Sequence, residues 1–246
     1  MKRLILAIQF LTIVPIKKGL APDKGDLARS MAFFPVVGAM QGGILAAIDY
    51  GLSGILPQTV VSAILLAALA LINNGLHLDG FADTVDGLAG GNTPDERLRI
   101  MRDSSVGALA VVALILLILI KFLSINEMNG SSRTAVIFIF PVIGKWCMVL
   151  LSCLAPPARE DGLGASFTAN SYSTFVVATG LTVAASWLLL GLGSLAVIGV
   201  MAVWTYLIAI FFKRKLGGIT GDVFGFHSEL SEGLTLIFFL TALRVV

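Results

Sequence analysis

Long apolar runs separated by short polar segments make up most of this 246-residue chain. The hydrocarbon core of a membrane is about 30 Å thick, so a helix needs about 20 mostly apolar residues to cross it. Six runs approach that length and are predicted to cross: residues 31–56, 58–72, 106–123, 135–154, 175–192 and 195–212. The second run is short, and a seventh candidate at 234–246 is shorter still. The pattern predicts an all-α, polytopic integral membrane bundle of about six or seven transmembrane helices, in a single catalytic domain over residues 1–246.

The N-terminal segment is a further apolar run that needs a separate interpretation. Lys2 and Arg3 precede apolar residues 4–14, which is the order found in a secretory signal peptide. No small-residue cleavage site follows, because the chain continues with Pro15, Lys17 and Lys18. We therefore expect a retained interfacial or re-entrant helix at this end.

Composition supports a membrane protein and argues against one class of partner. Hydrophobic residues make up 57% of the chain, charged residues 13%, and the mean hydropathy is +0.94. The formal net charge is only +2, and the basic residues form no long block. Membrane lipid is therefore an expected partner and nucleic acid is not.

The basic residues of the short loops lie almost entirely on one predicted side of the membrane. That side holds Lys2, Arg3, Lys17, Lys18, Lys24, Arg29, Arg97, Arg99, Arg102, Arg159, Lys213, Arg214 and Lys215. The opposite loops hold only Arg133, with Lys121 near a span end. Because basic loops stay in the cytoplasm, segments 73–104, 155–172 and 213–233 are all predicted on the cytoplasmic face of a bacterial or archaeal membrane. A composite active site can form there.

Three aspartates in the segment after the second run suggest a metal site. Asp79, Asp83 and Asp86 stand at i, i+4 and i+7, which is one face of a helix. Carboxylates this close should have raised pKa values or share a cation, and oxygen ligands favour Mg²⁺, Mn²⁺ or Ca²⁺ over zinc. The simpler alternative is a solvated acidic surface, but the intervening residues are mostly apolar and indicate a packed helix. Asn74 and His77, just before the aspartates, are candidate substrate contacts.

A short helix with several arginines follows. Thr93 and Glu96 have the spacing of a capping box that starts this helix. The arginines after it are Arg97, Arg99 and Arg102. Guanidinium groups can bind phosphate in a bidentate way, although Arg97 and Arg99 would also serve the charge asymmetry of the loops. Arg102 and Asp103 are expected to enter the membrane, where charged side chains are usually functional.

Further polar candidates lie in a glycine-rich segment, 217–232, that is expected to form a loop. Asp222 and Glu229 could add metal ligands or a general base, and ordinary solvated acids are the alternative.

Isolated charged residues elsewhere complete the set of candidates. Arg159 is a candidate phosphate contact in the 155–172 loop, which could also be a plain connection. Asp49 and Arg133 are expected at the opposite interface, where charges reach water. Lys145 is expected deeper, with either an interior partner or a side chain that snorkels to the interface.

Segments distributed over most of the chain resemble the cobalamin synthase family, adenosylcobinamide-GDP ribazoletransferase. The matching pieces are residues 10–15, 34–38, 77–91, 97–107, 158–164 and 217–232. Together they are specific, whereas the aspartate motif alone would not be. The sequence has Lys145 where the resemblance leads one to expect an arginine at or beside this position.

The resemblance implies a Mg²⁺-dependent transferase that joins α-ribazole, or its 5′-phosphate, to adenosylcobinamide-GDP and releases GMP. Metal would be held by Asp79, Asp83 and Asp86. Asp83, with Asp222 or Glu229 as base and with Arg102 and Asp103, would form the catalytic set. The residues expected to bind substrate are His77, Asn74, Arg97, Arg159 and Lys145.

Two alternative functions are open at this point. A CDP-alcohol phosphotransferase uses similarly spaced aspartates, but its Asp-Gly-x-x-Ala-Arg signature is absent, because Asp79-Gly80-Phe81-Ala82 continues with Asp83. An ion-coupled transporter would also place acids within the membrane, although no internal repeat is evident. The sequence is compatible with a homo-oligomer but does not decide it.

Overall fold

The computed structural model describes residues 2–15, 24–130, 132–160, 162–168 and 172–245 of the chain. These residues contain twelve α-helices. They are α1 (Lys2–Leu11), α2 (Lys24–Ser30), α3 (Phe34–Leu52), α4 (Gln58–Ile72), α5 (Leu76–Gly90), α6 (Pro94–Ile100), α7 (Ala108–Glu127), α8 (Ser132–Leu154), α9 (Leu163–Thr168), α10 (Tyr172–Leu190), α11 (Gly193–Leu216) and α12 (Gly221–Val245). A 3₁₀ turn at Met31–Phe33 joins α2 to α3. The predicted all-α class is confirmed.

Six helical segments in the described residues are long and apolar enough to cross a membrane. They are Gly25–Leu52, Ala108–Glu127, Ser132–Leu154, Tyr172–Leu190, Gly193–Leu216 and Gly221–Ala242. Several of these helices expose large apolar side chains, as α7 does at Leu109, Ile115 and Leu116. A continuous apolar exterior of this kind is stable in lipid and costly in water. The prediction of a polytopic membrane bundle is therefore confirmed.

The second predicted span forms a helix with the expected bounds but is too short to cross alone. The helices α4 and α5 meet the length requirement only as a pair, and they are bent by 86° at their junction. If the bent pair counts as one span, the described residues have seven spans. Asn74 and Gly75 form the bend with φ values of 51° and 67°. Asparagine and glycine tolerate this left-handed conformation better than other residues. The bend turns α5 away from the direction of α4, so α5 is not one of the six spans.

The glycine-rich loop predicted at 217–232 is wrong from Gly221 onward, and only residues 217–220 lie outside a helix. The helix α12 begins at Gly221, and the short seventh candidate is only its C-terminal part. Glycines suggested a loop, but in a membrane bundle small residues let helix backbones pack closely. As a result, Glu229 and Glu232 lie inside a membrane-spanning helix.

The central helix of the bundle is α8, which buries most of its side chains. Against it, α3 packs closely at Gly38, where an added Cβ would lie 2.7 Å from the carbonyl oxygen of Pro141. The ten residues of α1 are too few to cross the membrane. The chain just after α1 is attached to the end of α4, because the Ile13 amide donates to the Ile72 carbonyl at 2.8 Å. Of the basic residues expected after α1, Lys17 and Lys18 lie outside the described residues.

At the end of the bundle away from α5, two charged residues that were expected to reach water are buried instead. Asp49 is 3% exposed and Arg133 is 7% exposed. Their side chains form a salt bridge of 2.9 Å. Arg133 also donates to the carbonyls of Ile125 and Met128, the latter at 3.1 Å. The pairing satisfies both charges inside the protein and joins α3 and α8 to the end of α7.

Candidate active site

Three segments that are far apart in the sequence meet at one end of the bundle. Pro157 and Ile219 form an isolated parallel β-bridge. The Ala158 amide donates to the Ile219 carbonyl, and the Ile219 amide donates to the Pro156 carbonyl, both at 2.9 Å. These bonds attach the α8–α9 connection to the segment just before α12. The structure thus brings together two of the three segments predicted to form a composite site.

Two arginines attach the third segment, which contains α6. Arg97 donates to the carbonyl of Lys215 at 3.0 Å, in the last turn of α11. Arg159 donates to the carbonyl of Leu98 at 2.6 Å. Arg97 therefore satisfies a helix C-terminus, whereas Arg159 connects α6 with the α8–α9 connection. The predicted convergence of all three segments is confirmed, and the membrane side on which they lie follows only from the charge distribution.

The crossing of α5 and α12 positions the acidic residues. An added Cβ at Gly80 would lie 2.8 Å from the backbone oxygen of Asp222. An added Cβ at Gly225 would lie 3.0 Å from the backbone oxygen of His77. Ordinary carbon contacts need about 3.5–4.0 Å, so only glycine permits this approach at Gly80. The close crossing places Asp222 beside the aspartate face of α5.

Four aspartates lie close together at the crossing, and the pKa of Asp83 responds to the other three. Asp79 is exposed, whereas Asp83, Asp86 and Asp222 are half-buried. Burial and then the nearby charges of Asp79, Asp222 and Asp86 raise the pKa of Asp83 to about 6. This confirms the expected crowding of carboxylates and adds Asp222 to the three residues identified from the sequence. Such a group favours either a proton or a cation.

The predicted trio does not by itself form a complete metal site. In the described part of the chain, no group of three or more His, Cys, Asp or Glu side chains is arranged to hold a metal ion. Asp86 is partly committed elsewhere, because its Oδ2 accepts from the Gly107 amide at 2.6 Å, just before α7. The oxygen donors nevertheless match Mg²⁺, which commonly takes one or two carboxylates together with substrate phosphates.

Two cavities share Arg159, and the first of them adjoins this crossing at Asp222. The first, the Asp222 cavity, has a volume of about 300 Å³ and is lined by Arg159, Gly162, Gly164, Ala165, Ile219, Thr220, Gly221 and Asp222. Thr220 fixes the start of α12, since its hydroxyl accepts from the Val223 amide at 3.2 Å and donates to Asp222 at 3.2 Å. An arginine and a carboxylate therefore face the same space, as phosphate chemistry requires.

The second cavity, the Arg99 cavity, has a volume of about 370 Å³. It is lined by Asp95, Leu98, Arg99, Arg102, Ala158 and Arg159. Arg102 and Asp103 do not enter the membrane as predicted, because both are exposed in the turn before α7. Asp103 accepts from the Ser105 hydroxyl at 2.6 Å and amide at 2.9 Å, and these bonds hold the pKa of its carboxyl below the usual range. Asp103 thus orders the turn while Arg102 lines the cavity.

Deeper in the bundle lies a buried ion network. Lys121 donates to Glu229 at 2.5 Å and to Glu232 at 2.7 Å. Lys145 donates to Glu232 at 2.7 Å and to Ser228 at 3.1 Å. Two lysines and two glutamates therefore balance each other where isolated charges would be costly.

The network changes the interpretation of two predicted site residues. Lys145 has the interior partner that was expected of it, but it is 0% exposed and lines neither of the two cavities, so the geometry does not support the predicted substrate contact. Glu229 instead borders a larger cavity of about 500 Å³, lined mainly by apolar residues of α4 and α7. The charged residues that line that cavity, Lys121 and Glu229, already pair with each other, so it is the poorer candidate for phosphate chemistry.

The two remaining predicted substrate contacts lie at the start of α5. His77 is 2% exposed, and neither ring nitrogen has a hydrogen-bond partner among the described residues. Asn74 is exposed and adopts the left-handed turn conformation, which accounts for its residue type. Neither side chain lines the two arginine-containing cavities.

Comparison with known proteins identifies the family of the chain. A model of the cobalamin-5-phosphate synthase family matches residues 3–240. The chain belongs to that family. No solved structure matches it significantly.

Relatives of this family member share its length and carry one name, adenosylcobinamide-GDP ribazoletransferase. The relative from Geotalea daltonii is 42% identical over 233 residues, which cover 94% of each chain. The relative from Desulforamulus reducens is 36% identical and covers 97% of this chain and 95% of its own. The one from Roseiflexus sp. is 35% identical over 94% of this chain and 86% of its own length.

Sequence reasoning missed three features of this synthase-family site. Asp95 was not identified as a cavity residue, although its i, i+4 spacing from Arg99 places both on one helix face. Lys121 was interpreted only as a residue near a span end, although a lysine in an apolar helix usually indicates a buried acidic partner. The role of Thr220 as a cap could have been found only after the start of α12 was located.

Proposed function

We propose that this member of the cobalamin-5-phosphate synthase family joins α-ribazole, or its 5′-phosphate, to adenosylcobinamide-GDP and releases GMP. The observation that carries the proposal is the position of the α5 aspartates beside Asp222, which lines the first of two cavities that share Arg159. Acids and arginines in adjacent spaces are the requirements of a phosphate transfer. The names of the relatives supply the substrates.

The reaction exchanges one bond to phosphorus for another. A ribazole hydroxyl oxygen attacks the phosphorus that stays on the cobinamide, and the bond from this phosphorus to the GMP oxygen breaks. The hydroxyl proton passes to a carboxylate, and GMP leaves with the bond electrons. Arg99, Arg102 and Arg159 are placed to neutralise the phosphate oxygens, which is most valuable as charge develops on the leaving group.

Of the two acids considered as general base, Asp222 is favoured by its position. It lines the Asp222 cavity and lies beside α5. Glu229 lies seven residues further along the same helix, which is about 10 Å at 1.5 Å per residue. Its carboxylate is already bound to Lys121. We therefore assign proton acceptance to Asp222 and a structural role to Glu229.

Magnesium is proposed as the cofactor, held by Asp79 and Asp83 together with the substrate diphosphate. Asp86 is the third predicted ligand, although its Oδ2 already binds the Gly107 amide. When bound, Mg²⁺ would neutralise diphosphate charge and stabilise the departing GMP. The raised pKa of Asp83 supports a cation at this position, since a positive charge would relieve the repulsion among the carboxylates.

The site is proposed to face the cytoplasm of a bacterial or archaeal cell. Basic residues are concentrated at this end of the bundle, including Lys213, Arg214 and Lys215 in the last turn of α11. The positive-inside rule places that end in the cytoplasm. Nucleotide substrates are also made there.

A direct assay tests the proposal. The purified full-length chain in lipid nanodiscs is given adenosylcobinamide-GDP, α-ribazole and Mg²⁺, and GMP and the joined corrinoid are quantified together. We expect the two products in equal amounts, and none when α-ribazole or Mg²⁺ is withheld. Well-folded protein that forms neither product would refute the proposal.

A further inference from the structure

One carboxylate stands out in the arginine-rich Arg99 cavity. Asp95 lines this cavity together with Arg99, Arg102 and Arg159. Its side chain is exposed and makes no hydrogen bond or ion pair with any other residue that the structure describes. An acid in a cavity that binds phosphate repels the phosphate charge. This cost is offset if the carboxylate accepts hydrogen bonds from another part of the ligand.

The capping box at the start of α6 does not use this acid. Thr93 accepts from the Glu96 amide at 3.3 Å, and Glu96 accepts from the amides of Asn92 and Thr93 at 2.8 and 3.2 Å. The capping box is therefore complete without Asp95. These bonds also hold the pKa of the Glu96 carboxyl below its usual range. The neighbouring Glu96 is thus committed to the helix start, and Asp95 is available for another purpose.

The chemistry of the cavity selects a guanine nucleotide. Guanine presents two adjacent N–H donors on one edge, its ring N1–H and its exocyclic amine, and a carboxylate can accept both. Adenine presents an acceptor at its ring N1 and would face the carboxylate with a lone pair. Leu98 and Ala158 add apolar surface for a flat base, and the arginines serve the phosphate. A volume of about 370 Å³ lies within the usual range of ligand sites, about 300–1,000 Å³.

We propose that the Arg99 cavity holds the guanosine monophosphate portion of the substrate and that Asp95 determines guanine specificity by accepting both N–H donors. This inference rests on the proposed function and adds to it the residue that selects the base. Arg99 lies four residues after Asp95, about 6 Å along the same helix. One helix face therefore carries a base-reading acid and a phosphate-binding arginine.

The test is a specificity exchange with Asp95→Asn. An asparagine oxygen still accepts from a ring N1–H, but its NH₂ group faces the guanine amine. Xanthine has a carbonyl oxygen where guanine has that amine, and this oxygen accepts from the asparagine NH₂. The affinities of radiolabelled GMP and xanthosine 5′-monophosphate for the full-length chain with Mg²⁺ are measured by equilibrium dialysis. We expect Asp95→Asn to lower the affinity for GMP about 10- to 100-fold. The affinity for xanthosine 5′-monophosphate should rise by a similar factor.

Glu96→Gln is the matched control. It removes a negative charge from the adjacent position, and glutamine preserves the capping box. It should leave the preference for GMP over the xanthine nucleotide unchanged. That result would distinguish recognition of the base by Asp95 from a general effect of charge on the arginines. Equal effects of Asp95→Asn on both nucleotides, or no effect on either, would overturn the proposal.

The binding assay also keeps this inference distinct from the proposed function. If the wild type releases GMP from adenosylcobinamide-GDP but Asp95→Asn retains its preference for guanine, only the inference fails. If the wild type binds GMP with the expected Asp95 dependence but transfers no ribazole, the proposed reaction fails and the nucleotide site remains.

Discussion

Replacement of Gly80 by alanine tests whether the close crossing of α5 and α12 creates the active site. The new Cβ would lie 2.8 Å from the backbone oxygen of Asp222 and 2.9 Å from its Cα. Both obstacles are backbone atoms, which cannot rotate away as a side chain can. An ordinary contact needs about 3.5–4.0 Å, so the two helices must move apart by about 1 Å.

The expected effect on activity is larger than the effect on folding. Overpacking of a tight contact costs about 1–3 kcal/mol of stability, and part of this is offset because alanine is about 1 kcal/mol better than glycine inside a helix. A 1 Å displacement of a catalytic group costs about 10²-fold in rate. We therefore expect Gly80→Ala to insert and fold, with a thermal midpoint a few degrees lower, and to release GMP about 100-fold more slowly.

Gly199→Ala is the matched control. It lies within α11, and an added Cβ there meets nothing within 4 Å. Both variants gain the same methyl group and the same helix propensity, so their difference isolates the crossing. GMP release per folded molecule is compared after both variants pass size-exclusion chromatography in detergent. Full activity of Gly80→Ala would show that the contact with Asp222 does not position the site.

Two other predictions concern charged groups. Because the pKa of Asp83 is raised to about 6, protons should compete with Mg²⁺ for its carboxylate. The Mg²⁺ concentration that gives half-maximal rate should therefore rise as the pH falls through about 6. A Mg²⁺ titration in which this concentration does not change with pH would contradict the prediction. Lys121→Met should destabilise the fold by about 3–5 kcal/mol in thermal unfolding, because it leaves Glu229 buried without its cation. The double variant Lys121→Met with Glu229→Gln should recover much of that loss, and no recovery would argue against the ion pair.

The periodic features of the fold could be predicted from the sequence. A run of apolar residues as long as the membrane is thick has few alternatives to a helix, and this identified α7, α8, α10 and α11 to within a few residues at either end. Alternation of the six predicted crossings, with residues 58–72 counted as one of them, then placed the polar segments on one side. Their convergence at Pro157 and Ile219 followed from that topology.

Features that depend on packing between distant segments could not be predicted. Glycines at 217–232 suggested a loop because the close contact of Gly225 with α5 is visible only when α5 is in place. Glu229 was interpreted as a metal ligand, a general base or a solvated acid, because its partner Lys121 lies on another helix. The 86° bend at Asn74 and Gly75 was also missed, although both residue types favour it.

The central claim is that the carboxylates of α5 and Asp222 act directly on a substrate diphosphate. Asp83→Asn tests this most directly, because it removes the charge at the most crowded carboxylate with almost no change in size. Single-turnover GMP release from adenosylcobinamide-GDP is measured for the variant and the parent at saturating Mg²⁺. We predict a loss of about 10²- to 10³-fold with an unchanged or higher thermal midpoint, since a source of repulsion is removed. Full single-turnover activity in Asp83→Asn would contradict the account.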